Sequence, residues 1–280
     1  MAFSFECLAA THIGNRRKNN EDNFYIGDML LPDEQASMSQ SENRLVIKNS
    51  STTSAANRLF AVSDGMGGHE FGEVASFIAV TSIGEFADGG KASRKRADKF
   101  TYIQSFQDMI AQTNSKILDY AAANDADENM GATLSGLITF SDETAPFNIG
   151  DSSTFLFEGG TLQKLTTDDS ESSMQWDVDA GELKAGGKLL TKYFGLPRSC
   201  GILTATISTP ITLKSGQVYI ITSDGLTDYL SDDDITQILT EHSADSEKAV
   251  NALIDSALNA ENGGRDNITV VMISVTKISR

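Results

Sequence analysis

A chain of 280 residues with 40% hydrophobic, 22% charged and only 4 proline residues can bury one sizeable core and has the composition of an ordered globular protein. Its net charge of −17, from 39 acidic and 22 basic side chains, repels phosphate backbones and excludes non-specific binding to nucleic acid, while it suits a protein that gathers carboxylates around cations. No apolar run approaches the roughly 20 residues that cross a bilayer, the opening MAFSFECLAATHIGNRR has no secretory pattern, and the two cysteines, Cys7 and Cys200, form no disulfide framework, so a cytoplasmic protein is expected.

Residues 3–10 alternate apolar and polar side chains and read as a strand, with a second at 23–28. Residues 33–57 are rich in Ser, Thr, Asn and Gln around the apolar trio Leu45-Val46-Ile47, a long surface excursion carrying one short strand. The apolar run 59–63 ends at Asp64-Gly65, a strand meeting a tight turn, and Val74, Phe77, Ile78 and Ile83 then recur at helical spacing. After Asp88-Gly89-Gly90 comes a basic knot of Lys91, Arg94, Lys95, Arg96 and Lys99, and a helix is expected over 98–123 with Ile103, Phe106, Ile110 and Ile117 as its apolar stripe.

Short strands are expected at 134–140, 147–150, 155–157 and 162–165, the last two joined by the hairpin signal Glu158-Gly159-Gly160-Thr161. Residues 168–200 read as polar and irregular. A buried strand at 218–222 ends in a second Asp-Gly pair, Asp224-Gly225; Ser231 and Asp234 have capping-box spacing for a helix through Leu239. A helix over 247–259 and a strand over 268–275 follow. Clustered strands with helices in two blocks point to an α+β fold with antiparallel sheets, organised as one domain over 1–280.

Several phosphate chemistries can be removed on spacing. A thiol-based phosphatase needs an arginine six residues after its cysteine, where Cys7 has Ile13 and Cys200 has Thr206. The segment 181–189 has the wrong spacing for a phosphate-binding loop and places Leu189 where a hydroxyl is required. Asp177-Val178-Asp179 lacks both the distal glutamate of a Ca²⁺ loop and the preceding apolar strand of a phosphoaspartate site. What recurs is an aspartate at the end of a β-type run beside glycine or asparagine: Asp64-Gly65, Gly150-Asp151, Asp224-Gly225 and Asp266-Asn267. Singly, each is an ordinary turn former. Four of them converging at strand ends would make a hard-oxygen site suited to Mg²⁺ or Mn²⁺.

The segments around these aspartates carry a more specific likeness. Arg17-Lys18-Asn19-Asn20-Glu21-Asp22, Asp64-Gly65-Met66-Gly67-Gly68-His69 with Gly72-Glu73-Val74-Ala75-Ser76, Gly131-Ala132-Thr133-Leu134, Gly150-Asp151-Ser152, Leu165-Thr166-Thr167-Asp168-Asp169-Ser170, Ser223-Asp224-Gly225-Leu226-Thr227-Asp228 and Gly264-Arg265-Asp266-Asn267-Ile268-Thr269-Val270-Val271 follow in family order from 14 to 275. Together they resemble the metal-dependent protein phosphatase 2C family, and its bacterial serine/threonine phosphatases in particular.

That resemblance implies a four-layer α-β-β-α sandwich of two antiparallel sheets flanked by helices. It also implies hydrolysis of phosphoserine and phosphothreonine by water activated on Mn²⁺ or Mg²⁺, with no covalent intermediate. By position, Asp64 would bridge two metals with the Gly65 carbonyl on one of them, and Asp224 and Asp266 would complete the other. Glu21 would sit on the metal shell directly or through water with Asp22 supporting it, Asp151 would join Asp224 at a third metal position, and Arg17 would grip the substrate phosphate. The partners implied are phosphorylated proteins opposite a serine/threonine kinase in signalling, acted on by a monomer in the cytoplasm.

Two departures stand out: Ser153 replaces the family's usual arginine after Gly-Asp-Ser, and Met66 stands where eukaryotic members often have histidine, which leaves the source of the leaving-group proton open. His69 could act in catalysis, a turn or packing, and the segment 171–200 would be a variable flap whose Trp176 and Lys192 could reach a phosphopeptide. An inactive scaffold of the same fold and a hydrolase of small phosphoesters are the competing readings.

Overall fold

Strands whose side chains are apolar on both faces need cover on both faces, and this requirement sets the architecture. The structure is a computed structural model that describes residues 2–27, 44–52, 57–66, 71–88, 98–126, 130–177 and 182–278. In chain order it runs through β1 (Ala2–His12), β2 (Asn23–Ile26), β3 (Arg44–Thr52), β4 (Arg58–Ser63), β5 (Gly65–Met66), α1 (Gly72–Asp88) and α2 (Lys99–Ala123). Then come β6 (Gly131–Ala132), β7 (Leu134–Phe140), β8 (Glu143–Ile149), β9 (Ser153–Glu158), β10 (Thr161–Lys164), β11 (Ser170–Asp177) and β12 (Glu182–Leu190). The last part holds β13 (Thr206–Ile207), β14 (Ile211–Thr212), β15 (Val218–Thr222), α3 (Asp224–Thr227), α4 (Asp232–Glu241), α5 (Ser246–Asn259) and β16 (Ile268–Ile278).

One antiparallel sheet has the order β10-β9-β15-β16-β1-β3, and the other β13-β8-β7-β4-β2, with β14 also on β8. Alternation along each strand divides its side chains between two interfaces. From β1, Phe3, Phe5, Cys7 and Ala9 enter the layer between the sheets, where they meet Phe60 and Val62 of β4 and Val271 and Ile273 of β16. Leu8 and Ala10 face the other way, onto Val250, Leu253 and Ile254 of α5. Leu59 and Ala61 of β4 likewise turn outward onto Ala75, Ala79 and Ile83 of α1 and Phe106 and Ile110 of α2. Helices, sheet, sheet and helices therefore stack as four layers, the architecture expected from the resemblance.

Local chemistry explains the helix starts. Asp98 caps α2 by accepting from the Thr101 N–H at 2.9 Å. Ser231 and Asp234 form the expected capping box of α4. Lys99, the one member of the basic knot among the described residues, is committed to packing: its Nζ donates to Glu143 at 2.6 Å and lies over the Phe140 ring.

Three expectations change. Residues 168–200 are not irregular throughout, since β11 and β12 pair as a two-stranded antiparallel hairpin apart from both large sheets. Backbone pairing holds this polar flap together, so it has no apolar alternation to read. The strand expected at 147–150 begins at Glu143, because Pro146 and the polar residues before it hide a β8 paired along its length with β7. The excursion strand around Leu45 is a nine-residue edge strand, β3, paired with β1.

Phe106 is fully buried, with its ring 4.9 Å from that of Phe147 and 5.8 Å from that of Phe86, tying α2 to the second sheet and to α1. Phe106→Ala is expected to lower unfolding free energy by about 3–5 kcal/mol, read from the urea midpoint at constant m-value.

Candidate metal centre

The antiparallel registers bring the acidic segments to one end of the sandwich. Asn23 pairs with Ser63, so Asp22, just before β2, lies beside Asp64, just after β4. Thr222 pairs with Val270, which sets Asp224 after β15 near Asp266 before β16. Leu134 pairs with Ile149, so the turn Gly150-Asp151 after β8 emerges next to Thr133, before β7. His12 pairs with Ile268, and the loop leaving β1 at this end carries Arg17 and Glu21.

Hydrogen bonds fix these ends. The Asp64 N–H donates to the Thr133 hydroxyl at 3.0 Å and the Thr133 N–H to the Asp64 carbonyl at 2.8 Å, while the Ser63 hydroxyl donates to the Thr133 carbonyl at 2.7 Å. Thr133 Oγ1 also meets Ser152 Oγ at 2.6 Å, which joins β4 to the turn that carries Asp151. Asn267 is the hub on the other side. Its Oδ1 accepts from the Glu21 N–H at 2.8 Å, and its Nδ2 donates to the carbonyls of Ile13 and Asn19, both at 2.9 Å. The loop of Arg17 and Glu21 is thus anchored beside Asp266.

Close backbone approach matters at two glycines. The Gly65 N–H donates to the Glu21 carbonyl, and a Cβ there would stand 2.1 Å from the Gly72 carbonyl oxygen. A Cβ on Gly72 would lie 2.8 Å from the Glu21 carboxyl carbon, so a larger residue at the start of α1 would displace the Glu21 carboxylate.

Crowding sets the electrostatics. Burial, then the charges of Asp22, Asp224, Asp266 and Asp151, hold the Asp64 carboxyl well above the usual carboxylate range. Asp224 is raised to about 8 by burial, Asp151, Asp228 and Asp266, against a hydrogen bond with Asp64 that lowers it. Asp22, 4% exposed, is raised to about 7 mainly by burial, although Thr269 and Ser223 hydrogen bonds favour its charged form. Burial also raises Asp151 and Glu21, partly offset by Lys188 and Arg17 respectively. Asp64 and Asp224 keep some surface exposure, yet burial is the largest cause of their raised values, with the neighbouring carboxylates next.

Such a donor set fits hard divalent cations. Asp22 Oδ1 is buried with no hydrogen-bond partner, although Oδ2 accepts from the Ser223 hydroxyl at 2.7 Å. Among the described residues no three acidic, histidine or cysteine side chains are grouped tightly enough to cage an ion by themselves. Mg²⁺ and Mn²⁺ take oxygen ligands and complete their shell with water and carbonyl oxygen. The groups able to contribute are Asp64, Asp224, Asp266, Asp151, Glu21, Asp22 and the Gly65 carbonyl.

Arg17 is partly exposed beside Asp266, its Nη2 donating to Asp266 Oδ2 at 2.7 Å. Asp266 and Glu21 keep its guanidinium charged against the opposing effect of partial burial. Lys192 is held on Asp169 at 3.2 Å and on Thr206 Oγ1 at 2.9 Å, which gives it a role at the base of the flap. His69 lies outside the described residues. Sequence reasoning did not single out Asn267 as an anchor or Lys188 as a neighbour of Asp151; the Asp-Asn pair was a signal for the first, and no pattern marks the second.

A family model described as Protein phosphatase 2C matches residues 48–259. Protein phosphatase PhpP of Streptococcus pneumoniae is 26% identical over 282 residues, covering 97% of this chain and 98% of that protein. Serine/threonine protein phosphatase PstP of Mycobacterium tuberculosis is 29% identical over 237 residues, 81% of this chain; the match spans 42% of that protein's length. The crystal structure of the catalytic domain of PstP in complex with two manganese ions matches with a TM-score of 0.69 at 25% identity, over 98% of this chain and 100% of that one. The Streptococcus agalactiae serine/threonine phosphatase has the same fold, with a TM-score of 0.72 at 24% identity over 98% of this chain and 100% of that one.

The raised carboxyl pKa values carry a sign. The folded centre keeps protons that the unfolded chain releases near about pH 4, so this contribution to stability is complete below that pH. It is lost as pH rises through about 7 and about 8, the values of Asp22 and Asp224. In EDTA the melting temperature is expected to fall from about pH 5 to about pH 8. Asp224→Asn should flatten the fall, and millimolar Mn²⁺ at pH 8 should raise the wild-type midpoint by more than about 2 °C. Differential scanning calorimetry on both proteins checks all three outcomes.

Proposed function

Because the chain belongs to the protein phosphatase 2C family, we propose that it is a metal-dependent hydrolase that removes phosphate from serine and threonine side chains of proteins, with residues 1–280 acting as one catalytic domain. The observation that carries the reading is the gathering of Asp22, Asp64, Asp151, Asp224 and Asp266 at one end of the sandwich, with charges that call for cations. Asp64, Asp224 and Asp266, with Glu21, Asp22 and the Gly65 carbonyl, would hold two ions of Mn²⁺ or Mg²⁺, and Asp151 with Asp224 would serve a third. When bound, these ions acidify water so that a nucleophile exists near neutral pH, and they offset charge developing on the phosphoryl group.

The chain's own side chains supply the rest. Asn267 and Thr133 keep the carboxylates from spreading under their mutual repulsion, so the centre is organised before substrate arrives. Arg17 offers a planar fork that matches two phosphate oxygens, and its pairing with Asp266 aims it over the acidic centre. Cys7 is no nucleophile, since burial between the sheets pushes its thiol up to about 12.

Substrates are phosphorylated proteins opposite a serine/threonine kinase, in the cytoplasm; no helix among the described residues is long and apolar enough to cross a membrane. The mycobacterial relative in the manganese-bound structure supports the choice of metal.

Hydrolysis of a phosphothreonine peptide should stop in EDTA and return with Mn²⁺. Asp64→Asn should cost at least about a hundredfold in kcat while the protein remains folded by circular dichroism. Undiminished turnover in EDTA would overturn the reading.

Arg17→Ala is expected to raise KM for the same peptide by about tenfold or more with a smaller change in kcat, because the fork holds phosphate in ground and transition states alike. Steady-state kinetics at saturating Mn²⁺ distinguishes this from a lost metal ligand, which would lower Mn²⁺ affinity instead.

A further inference from the structure

The flap hairpin brings a cation into the acidic centre. Lys188, on β12 opposite Ser172 of β11, donates from Nζ to Asp228 Oδ1 at 3.0 Å. Asp228 lies one helical turn after Asp224, and its N–H donates to the Asp224 carbonyl at 2.8 Å. The same ammonium is held charged by Asp228, Asp151 and Asp224 against partial burial, and it is the main charge drawing the Asp151 carboxyl back down. One lysine therefore touches Asp228, and its charge also acts on Asp151 and Asp224.

The hairpin hangs from the turn that carries Asp151. The Asp169 N–H donates to the Gly150 carbonyl at 2.7 Å, the Thr191 N–H donates to the Asp169 carbonyl at 2.8 Å, and Lys192 pairs with Asp169. Its base is thus fixed beside Asp151, while the contact of Lys188 with Asp228 bridges from the hairpin to the start of α3. An exposed lysine–aspartate pair by itself contributes little. Here the pair sits among further unbalanced carboxylates and on a short tether, which raises the effective concentration of the ammonium at this spot.

We propose that Lys188 is a built-in counter-cation for the Asp151–Asp224–Asp228 group, occupying the electrostatic place of an additional divalent ion when the hairpin is docked. The additional ion and the docked lysine are then mutually exclusive. By reciprocity, whatever tightens binding of that ion releases the hairpin, and whatever holds the hairpin weakens the ion. The inference rests on the metal-centre reading above, and it assigns to the flap a control over how many cations the site takes.

Mn²⁺ is titrated into the full chain by calorimetry for wild type, Lys188→Gln and Lys188→Arg, following in parallel the emission of Trp176, the chain's single tryptophan and part of β11. Lys188→Gln should bind its weakest ion at least about fivefold more tightly than wild type, or bind one ion more. Its metal-free Trp176 emission should already match that of wild type at high Mn²⁺. Lys188→Arg, which keeps the charge, should stay within about twofold of wild type. Equal stoichiometry and equal affinity for the weakest ion in wild type and Lys188→Gln would overturn the proposal and leave the tight metal centre standing. No Mn²⁺ binding to the wild type at all would remove the metal-centre reading and this inference with it.

Discussion

Carboxylates do not gather without a cause, and the repulsion among Asp22, Asp64, Asp151, Asp224 and Asp266 is the constraint around which the rest of the structure is arranged. Two such charges about 4 Å apart repel by roughly 4 kcal/mol at an effective dielectric near 20. The chain meets this in two visible ways: Arg17 lies on Asp266, and Lys188 lies on Asp228. Neither of the two balances the whole group, and the buried Oδ1 of Asp22 is without a hydrogen-bond partner. Hard divalent cations would complete what protons and basic side chains leave undone.

A repelling cluster persists only if its supports cannot yield, and the sandwich supplies that stiffness. Each aspartate adjoins a strand buried on both faces: β4 is packed by α1 and α2 on one side and by the opposite sheet on the other, and β15 and β16 are held in the same way by α5. Moving Asp64 away from Asp22 would mean sliding β4 against β2 and breaking the pairs between Thr133 and Asp64. Close packing of the core is therefore translated into fixed positions at its edge. The polar anchors, Thr133, Ser152 and Asn267, are nearly without exposure themselves, so water does not compete for their hydrogen bonds.

The flap follows a different logic. Its hairpin is joined to neither large sheet, and its described contacts with the body are polar: Asp169, Lys188 and Lys192. Exposed ion pairs exchange readily with solvent and salt, whereas the apolar layers do not. A rigid acidic edge and a hairpin held by charge are well matched, because any change in the charge of the edge alters the hold on the hairpin.

Much of this was legible in the linear chain, for stated reasons. The strands at 134–140 and 218–222 have the boundaries expected, since a run of apolar residues closed by turn formers reports burial on both faces directly. The caps at Asp98 and Ser231 depend on neighbours three residues away, and the Asp-Gly and Asp-Asn pairs announce strand ends locally. The hairpin of β11 and β12 was not legible, because polar strands held by backbone bonds show no apolar period, and Pro146 masked the start of β8. Nor could the sequence state that Arg17 would lie on Asp266, 249 positions away, that Asn267 would hold the backbone of Ile13 and Glu21, or that Lys188 would meet Asp228. Residue types and short spacings establish which groups can do chemistry and where strands stop. Which carboxylate meets which cation is decided only when two sheets close on each other, since that registry comes from packing across the whole chain rather than from any neighbour in it.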